Sequence, residues 1–151
     1  MAPGSLSRGD RLALVLVLAI AGALVSAYLM LDWYRAASSS WCDVSSFFSC
    51  TRVRDSAFAA VGGVPTAVVG LVGFAILASL AVMALQGRTA ISRWRIEGWM
   101  LLFALIGAGI GAALTVLEVF VIQAVCLLCA VGFGLDLAIL AVTATLRASD
   151  S

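Results

Sequence analysis

Histidine is absent from this 151-residue chain, lysine is absent as well, and only 11% of the residues are charged. Without imidazole there is no His general base and no His metal ligand. A net charge of +1 gives no electrostatic footing for nucleic acid. What remains is apolar. A hydrophobic fraction of 64% and a mean hydropathy of +1.16 lie far outside soluble globular usage. Runs of about 20 apolar residues are long enough to cross a hydrocarbon core as helices, so the chain reads as an all-α integral membrane protein.

Four spans are expected, at about 12–31, 64–85, 99–120 and 125–146, in one membrane domain covering 1–151. Arg8 and Arg11 before an apolar run, with "VSA" at 25–27, also resemble a cleavable signal peptide. Against that reading, "YLML" carries the stretch past the supposed cut. With no lysine, orientation rests on arginine. Arg8, Arg11, Arg88, Arg93, Arg95 and Arg147 lie on one side of the spans, and Arg35, Arg52 and Arg54 on the other. The positive-inside rule puts both termini in the cytoplasm of a multi-pass protein of the cell inner (plasma) membrane. The first loop and the turn between spans three and four then face outward, where disulfides persist.

Gly22 and Ser26, Gly70 and Gly73, and Gly107 and Gly111 are small residues at helical spacing, which let helices approach closely in lipid. With short connections after spans two and three they predict a four-helix bundle; a looser set of helices inside a larger complex is the alternative. The segment at about 36–63 is too polar to insert and too aromatic for a plain linker. It is expected to form an extracytoplasmic cap, with Trp41, Phe47, Phe48 and Phe58 at the interface or over the bundle mouth. A short helix from about Cys50 to Ala60 would put Val53 on one face with Ala57. Gly62, Gly63 and Pro65 would end the cap, with Pro65 in the first turn of span two.

The chain has four cysteines, in two pairs. Cys126 and Cys129 form C-x-x-C at the expected outer start of span four, where unpaired N–H groups and the helix dipole favour a thiolate. Taken alone they are also ordinary small residues of a membrane helix. Cys42 and Cys50, in "CDVSSFFSC", read alone as a structural staple. Two pairs on one side of the membrane can pass a disulfide inward by thiolate exchange. A zinc site of four thiolates fits the count, but one pair sits at the lipid boundary and the spacings are unlike a zinc ribbon, so no metal is expected. Such a relay needs a lipid-soluble acceptor of two electrons, and a quinone fits.

The runs "CDVSSFFSC", Ser56, "GGVPTAVVGLVGF" and "CLLCAVGF" resemble the vitamin K epoxide reductase family in its bacterial thiol-oxidising branch, over nearly the whole chain. The other quinone-linked oxidase family, that of DsbB, carries its C-x-x-C before its second pair, the reverse of the order here. The resemblance implies that Cys42 exchanges with a thioredoxin-fold, DsbA-like partner, that Cys50 passes electrons to Cys126, and that Cys129 faces the quinone. It implies that Ser56 positions or polarises the reacting groups. Phe133 stands where vertebrate members have a tyrosine, and the vertebrate cap asparagine has no counterpart in "SAFAAVGGVP". Both departures weigh against epoxide reduction. As the chain ends at Ser151, a separate partner is expected.

Several further residues have two readings each. Phe133, one turn after Cys129, is a quinone-stacking or a packing aromatic. Glu118 is a proton shuttle near the C-x-x-C or a snorkelling side chain. Phe58 is a third quinone-binding candidate. Asp136, about 15 Å beyond Cys126 by helical rise, is expected to be a neutral or hydrogen-bonded structural carboxyl. Arg52 and Arg54 either lower the Cys50 pKa or answer Asp43 and Asp55. The expected function is a membrane thiol–quinone oxidoreductase that uses ubiquinone, menaquinone or vitamin K. The alternatives are a quinone-epoxide reductase with the same thiols and a disulfide-stapled scaffold.

Overall fold

Hydrocarbon offers no partner to a backbone N–H or C=O, so apolar runs must satisfy these groups internally, as helices. The computed structural model describes residues 6–35 and 42–150, which leaves Trp41 outside the described residues. In chain order come α1 (Arg8–Arg35), α2 (Cys50–Arg54), β1 (Ala60–Val61), β2 (Val64–Pro65), α3 (Thr66–Leu85), β3 (Ala90–Ile91), β4 (Trp94–Arg95), α4 (Ile96–Leu117), a π-turn (Glu118–Ile122) and α5 (Leu127–Asp150). Among the described residues four helices are long and apolar enough to cross a membrane: α1, α3, α4 with the π-turn, and α5. α1 packs on α3 and α5, and α4 packs on α5 and α3, closing a ring.

The core fills one end of that ring. Leu12, Val15, Ala19, Ala81, Ile96, Met100, Ile139 and Leu146 are buried together there, near both chain ends. Above them Arg8 pairs with the buried Glu97, which also faces Arg95 at 3.5 Å. At the opposite end the helices part, and a second cluster of Cys42, Cys50 and Cys126 closes the mouth.

Small residues let the helices close up where bulky ones cross. Gly22 lies against the Phe74 ring, and a Cβ on Gly70 would sit 2.9 Å from Ser26 Oγ. On α4, Gly107 faces the Asp136 carboxyl and Gly111 faces the Phe133 ring. Gly73 differs from expectation. Nothing lies within 4 Å of its Cβ position, because it faces the open centre of the bundle and not a neighbouring helix.

Element boundaries shift where polar caps override hydropathy. α1 begins at Arg8, ahead of the apolar run, because Ser7 and Asp10 form a reciprocal cap: Asp10 N–H donates to Ser7 Oγ at 3.1 Å and Ser7 N–H to Asp10 Oδ2 at 3.2 Å. α2 stops at Arg54, well short of Ala60. The Ser56 hydroxyl donates to Val53 O at 2.7 Å and closes the last turn, so Val53 and Ala57 share no helix face. Gly62 and Gly63 then take positive φ values of 59° and 83° and turn β1 back on β2, pairing Ala60 with Pro65. Pro65 is thereby extended, the residue before α3 and not in its first turn. The connection from α3 to α4 is a second hairpin, with Ser92 at φ 59°.

Candidate functional site

The cap is held to the bundle mainly by backbone. Val125 N–H donates to Phe47 O at 2.7 Å and Ser49 N–H donates to Val125 O at 3.1 Å, so Phe48 bridges to Val125 as in a parallel sheet. Ser49 also caps α2 through the Arg52 N–H at 3.2 Å. Its hydroxyl donates to Asp43 Oδ1 at 2.8 Å, and Asp43 accepts from Thr51 N–H and Oγ1 as well. Arg52 reaches Ser46 O at 2.6 Å, while Arg54 pairs with Asp55 at 3.1 Å and with Asp32 of α1 at 3.3 Å. Asp43 thus fastens α2 to the preceding loop, and Arg54 fastens it to α1. The Asp32 contact was illegible in the sequence, where the two residues stand 22 positions apart.

That anchoring sets Cys50 against Cys126. Cys42 and Cys50 form a disulfide with a Cα–Cα separation of 5.9 Å, and Cys126 and Cys129 are free thiols. The Cys126 Sγ lies 2.8 Å from the Cys50 Sγ, and the sulfurs of Cys42, Cys50 and Cys126 all lie within 4.8 Å of one another. Three clustered sulfurs resemble a donor set for a thiophilic ion, yet two of them are joined to each other and offer no thiolate. A free thiol set beside a disulfide is an arrangement that allows thiol–disulfide exchange.

Cys126 ends the loop before α5. A hydrogen bond from the Cys129 thiol holds the Cys126 thiol below its ordinary range, helped by the Cys129 and Leu128 backbone and opposed by burial and the nearby Glu118 charge. The π-turn, ended by Gln123 in the left-handed conformation at φ 58°, swings the Glu118 carboxyl inward. Its Oε2 accepts from Cys126 N–H at 3.4 Å, and its backbone oxygen accepts from Ala124 N–H at 3.0 Å. Nothing in the residue types around Glu118 signals a π-turn.

Below the sulfurs lies a cavity of about 690 Å³, walled mainly by apolar side chains of α1, α3, α4 and α5 and roofed by the cap. Cys50, Cys126 and Cys129 border it, as do Ser56, Phe58, Glu118, Phe133 and Asp136; Phe47 and Phe48 stand outside, half-exposed at the cap edge. Because Ser56 spends its O–H on Val53 O, only its oxygen lone pairs are left for anything else. Of the two expectations for Asp136, neutral or hydrogen-bonded, the second is not met at its Oδ2: the residue is only 6% exposed and that oxygen has no hydrogen-bond partner among the described residues. A mostly apolar space with a dithiol and the Phe58 and Phe133 rings in its wall fits a quinone.

Comparison with known proteins gives a family match. The model of the vitamin K epoxide reductase family matches residues 13–144.

Proposed function

The chain belongs to the vitamin K epoxide reductase family, and from that premise we propose that it oxidises a thioredoxin-fold partner of DsbA type at the outer face of a bacterial inner membrane. Members of the family are membrane disulfide oxidoreductases that use quinones and work with thioredoxin-like partners. The observation that carries this reading is the Cys126 Sγ at 2.8 Å from Cys50, with Cys42 disulfide-bonded to Cys50, which supports exchange between the two pairs through Cys50 and Cys126.

The reduced partner attacks at Cys42, forms a mixed disulfide, and leaves oxidised as Cys42 and Cys50 become thiols. The Cys50 thiolate attacks Cys126 of an oxidised Cys126–Cys129 pair, and Cys129 leaves as a thiol. Cys42 then attacks Cys50, restoring the first disulfide and completing the second dithiol. Arg54, Asp43 and the backbone bridge at Phe48 hold the two sulfurs in line, which replaces a bimolecular encounter by a positioned one. A bound quinone supplies the oxidising power, accepting two electrons and two protons. Glu118, whose carboxyl reaches the Cys126 N–H, is placed to take the proton released beside the dithiol. Phe133 and Phe58 bound the space for the ring, and Ser56 locks the turn after α2 that carries Cys50.

Orientation is part of the proposal. Arg8 pairs with Glu97 and Arg11 reaches Thr145 O at 3.4 Å, so these arginines gather at the end of the bundle away from the cysteines. That asymmetry supports cytoplasmic termini and extracytoplasmic cysteines.

The deciding experiment follows a reduced DsbA-type protein in membranes containing this chain or its Cys126→Ala form. Quinone-dependent oxidation in the first and none in the second is expected. Equal oxidation in both would remove the relay, and turnover of quinone epoxide with no gain in partner disulfide would assign the same thiols to epoxide reduction.

A further inference from the structure

One buried group has no use in the relay. Asp136 lies on α5 seven residues after Cys129, with Phe133 between them at the fourth position, so the three follow one another down a single helical face. All three border the cavity. Two glycines of α4, one turn apart, make room for the lower two: Gly111 for the Phe133 ring and Gly107 for the Asp136 carboxyl, whose oxygens would each be 2.9 Å from a Cβ at 107. No ion pair or hydrogen bond holds the carboxyl among the described residues, and its Oδ2 is buried.

A carboxyl at this depth costs several kcal/mol unless something satisfies it. The described residues do not satisfy it, and Asp136 borders the cavity, so a partner can come from what the cavity admits. The neutral form, which hydrocarbon favours, has one O–H to donate. Its complement is a carbonyl oxygen. Along α5 the step from Cys129 to Asp136 is about 10.5 Å, long enough for one ring carrying carbonyls at opposite ends, with the sulfur at one end and the acid at the other. Phe133, in the middle, carries no polar atom and leaves the far carbonyl without a donor.

We infer that Asp136 is the hydrogen-bond donor to the far carbonyl of the quinone, fixing how deep the ring sits below Cys129. The inference rests on the quinone reading above. Asp136 is a positioning and affinity residue in it, and it takes no part in thiol exchange.

The test uses full-length protein in lipid nanodiscs with menaquinone, read by infrared difference spectroscopy of the carbonyl stretches and by quinone quenching of tryptophan fluorescence. In the native chain one carbonyl band should lie below the other. In Asp136→Leu the bands should draw together and quinone should bind about ten-fold more weakly, the loss of one hydrogen bond in a mostly apolar site. Asp136→Asn, which keeps a donor, should retain the split and bind within about three-fold of the native chain. Should Asp136→Leu fail to assemble, Gly107→Ala displaces the carboxyl from the other side and should narrow the split. Unchanged bands and affinity in Asp136→Leu, or an unchanged split in Gly107→Ala where that variant has to stand in, would overturn the inference while leaving the quinone reading standing. No quinone binding by the native chain would overturn both.

Discussion

Replacing Arg54 by alanine cuts the tie between α2 and the last turn of α1. Arg54 meets two carboxylates that are not equivalent. Asp55 is 64% exposed, and such a pair contributes at most about 1 kcal/mol. Asp32 and Arg54 have side chains only 11% exposed and lie 3.3 Å apart, where a charge-assisted hydrogen bond contributes about 1.5–3 kcal/mol. A loss of about 2 kcal/mol from the docked cap corresponds to a roughly thirty-fold larger undocked population. The amides that report it are those of Ser49 and Val125, whose hydrogen bonds join the cap to the chain just before α5. In nanodiscs their exchange with deuterated water should accelerate roughly thirty-fold, while amides of Met100 and Ile139 in the buried core keep their native rates. Asp32→Asn should give a smaller acceleration, because the amide still accepts from the guanidinium. Acceleration of Val125 by less than about three-fold in Arg54→Ala would refute the idea that this ion pair holds the cap.

Three further outcomes are expected. In Cys129→Ser the Cys126 thiolate can attack the first disulfide without being resolved, so non-reducing peptide mapping should find a Cys50–Cys126 link; a Cys42–Cys126 link would exchange the roles of the two loop cysteines, and Cys126→Ser should trap neither. Because the Cys129 thiol holds the Cys126 thiol below its ordinary range, Cys129→Ala in a Cys42→Ser/Cys50→Ser background should move the thiolate ultraviolet titration to higher pH, and a shift to lower pH would contradict the hydrogen bond as its main cause. A membrane-impermeant maleimide applied outside intact cells, after reduction, should label Cys42 and Cys50, whereas labelling only after permeabilisation would invert the proposed orientation.

Hydropathy and cysteine order carried most of what the structure contains. The spans at 12–31, 64–85, 99–120 and 125–146 fall within or close to the observed helices because twenty apolar residues in lipid have few alternatives to a helix. The features that escaped are those set by backbone and single polar contacts. β1 and β2 are two residues each, too short for alternation to show, and the π-turn at Glu118–Ile122 ends at Gln123 with φ 58°, a backbone choice the residue type does not announce. Gly70 and Gly73 look alike in sequence, yet one meets Ser26 and the other open space, since the period of a helix does not say where a neighbour stops. Around the sulfurs, C-x-x-C suggested a redox pair, but only the fold brings Cys50 to Cys126 across 76 positions. Asp136 could be placed by depth but not by environment, which depends on Gly107 from another helix.

The bridge between Phe48 and Val125 is made by amides and carbonyls, so this tie, unlike those through Asp43 and Arg54, does not depend on which side chains the cap edge displays. Substitution at Val44, Phe47 and Phe48, whose side chains are exposed at the cap edge, therefore leaves the bridge itself in place. One substitution breaks it. Proline at 49 or 125 deletes a bridging N–H, and at 49 it also removes the hydroxyl that caps α2 and reaches Asp43.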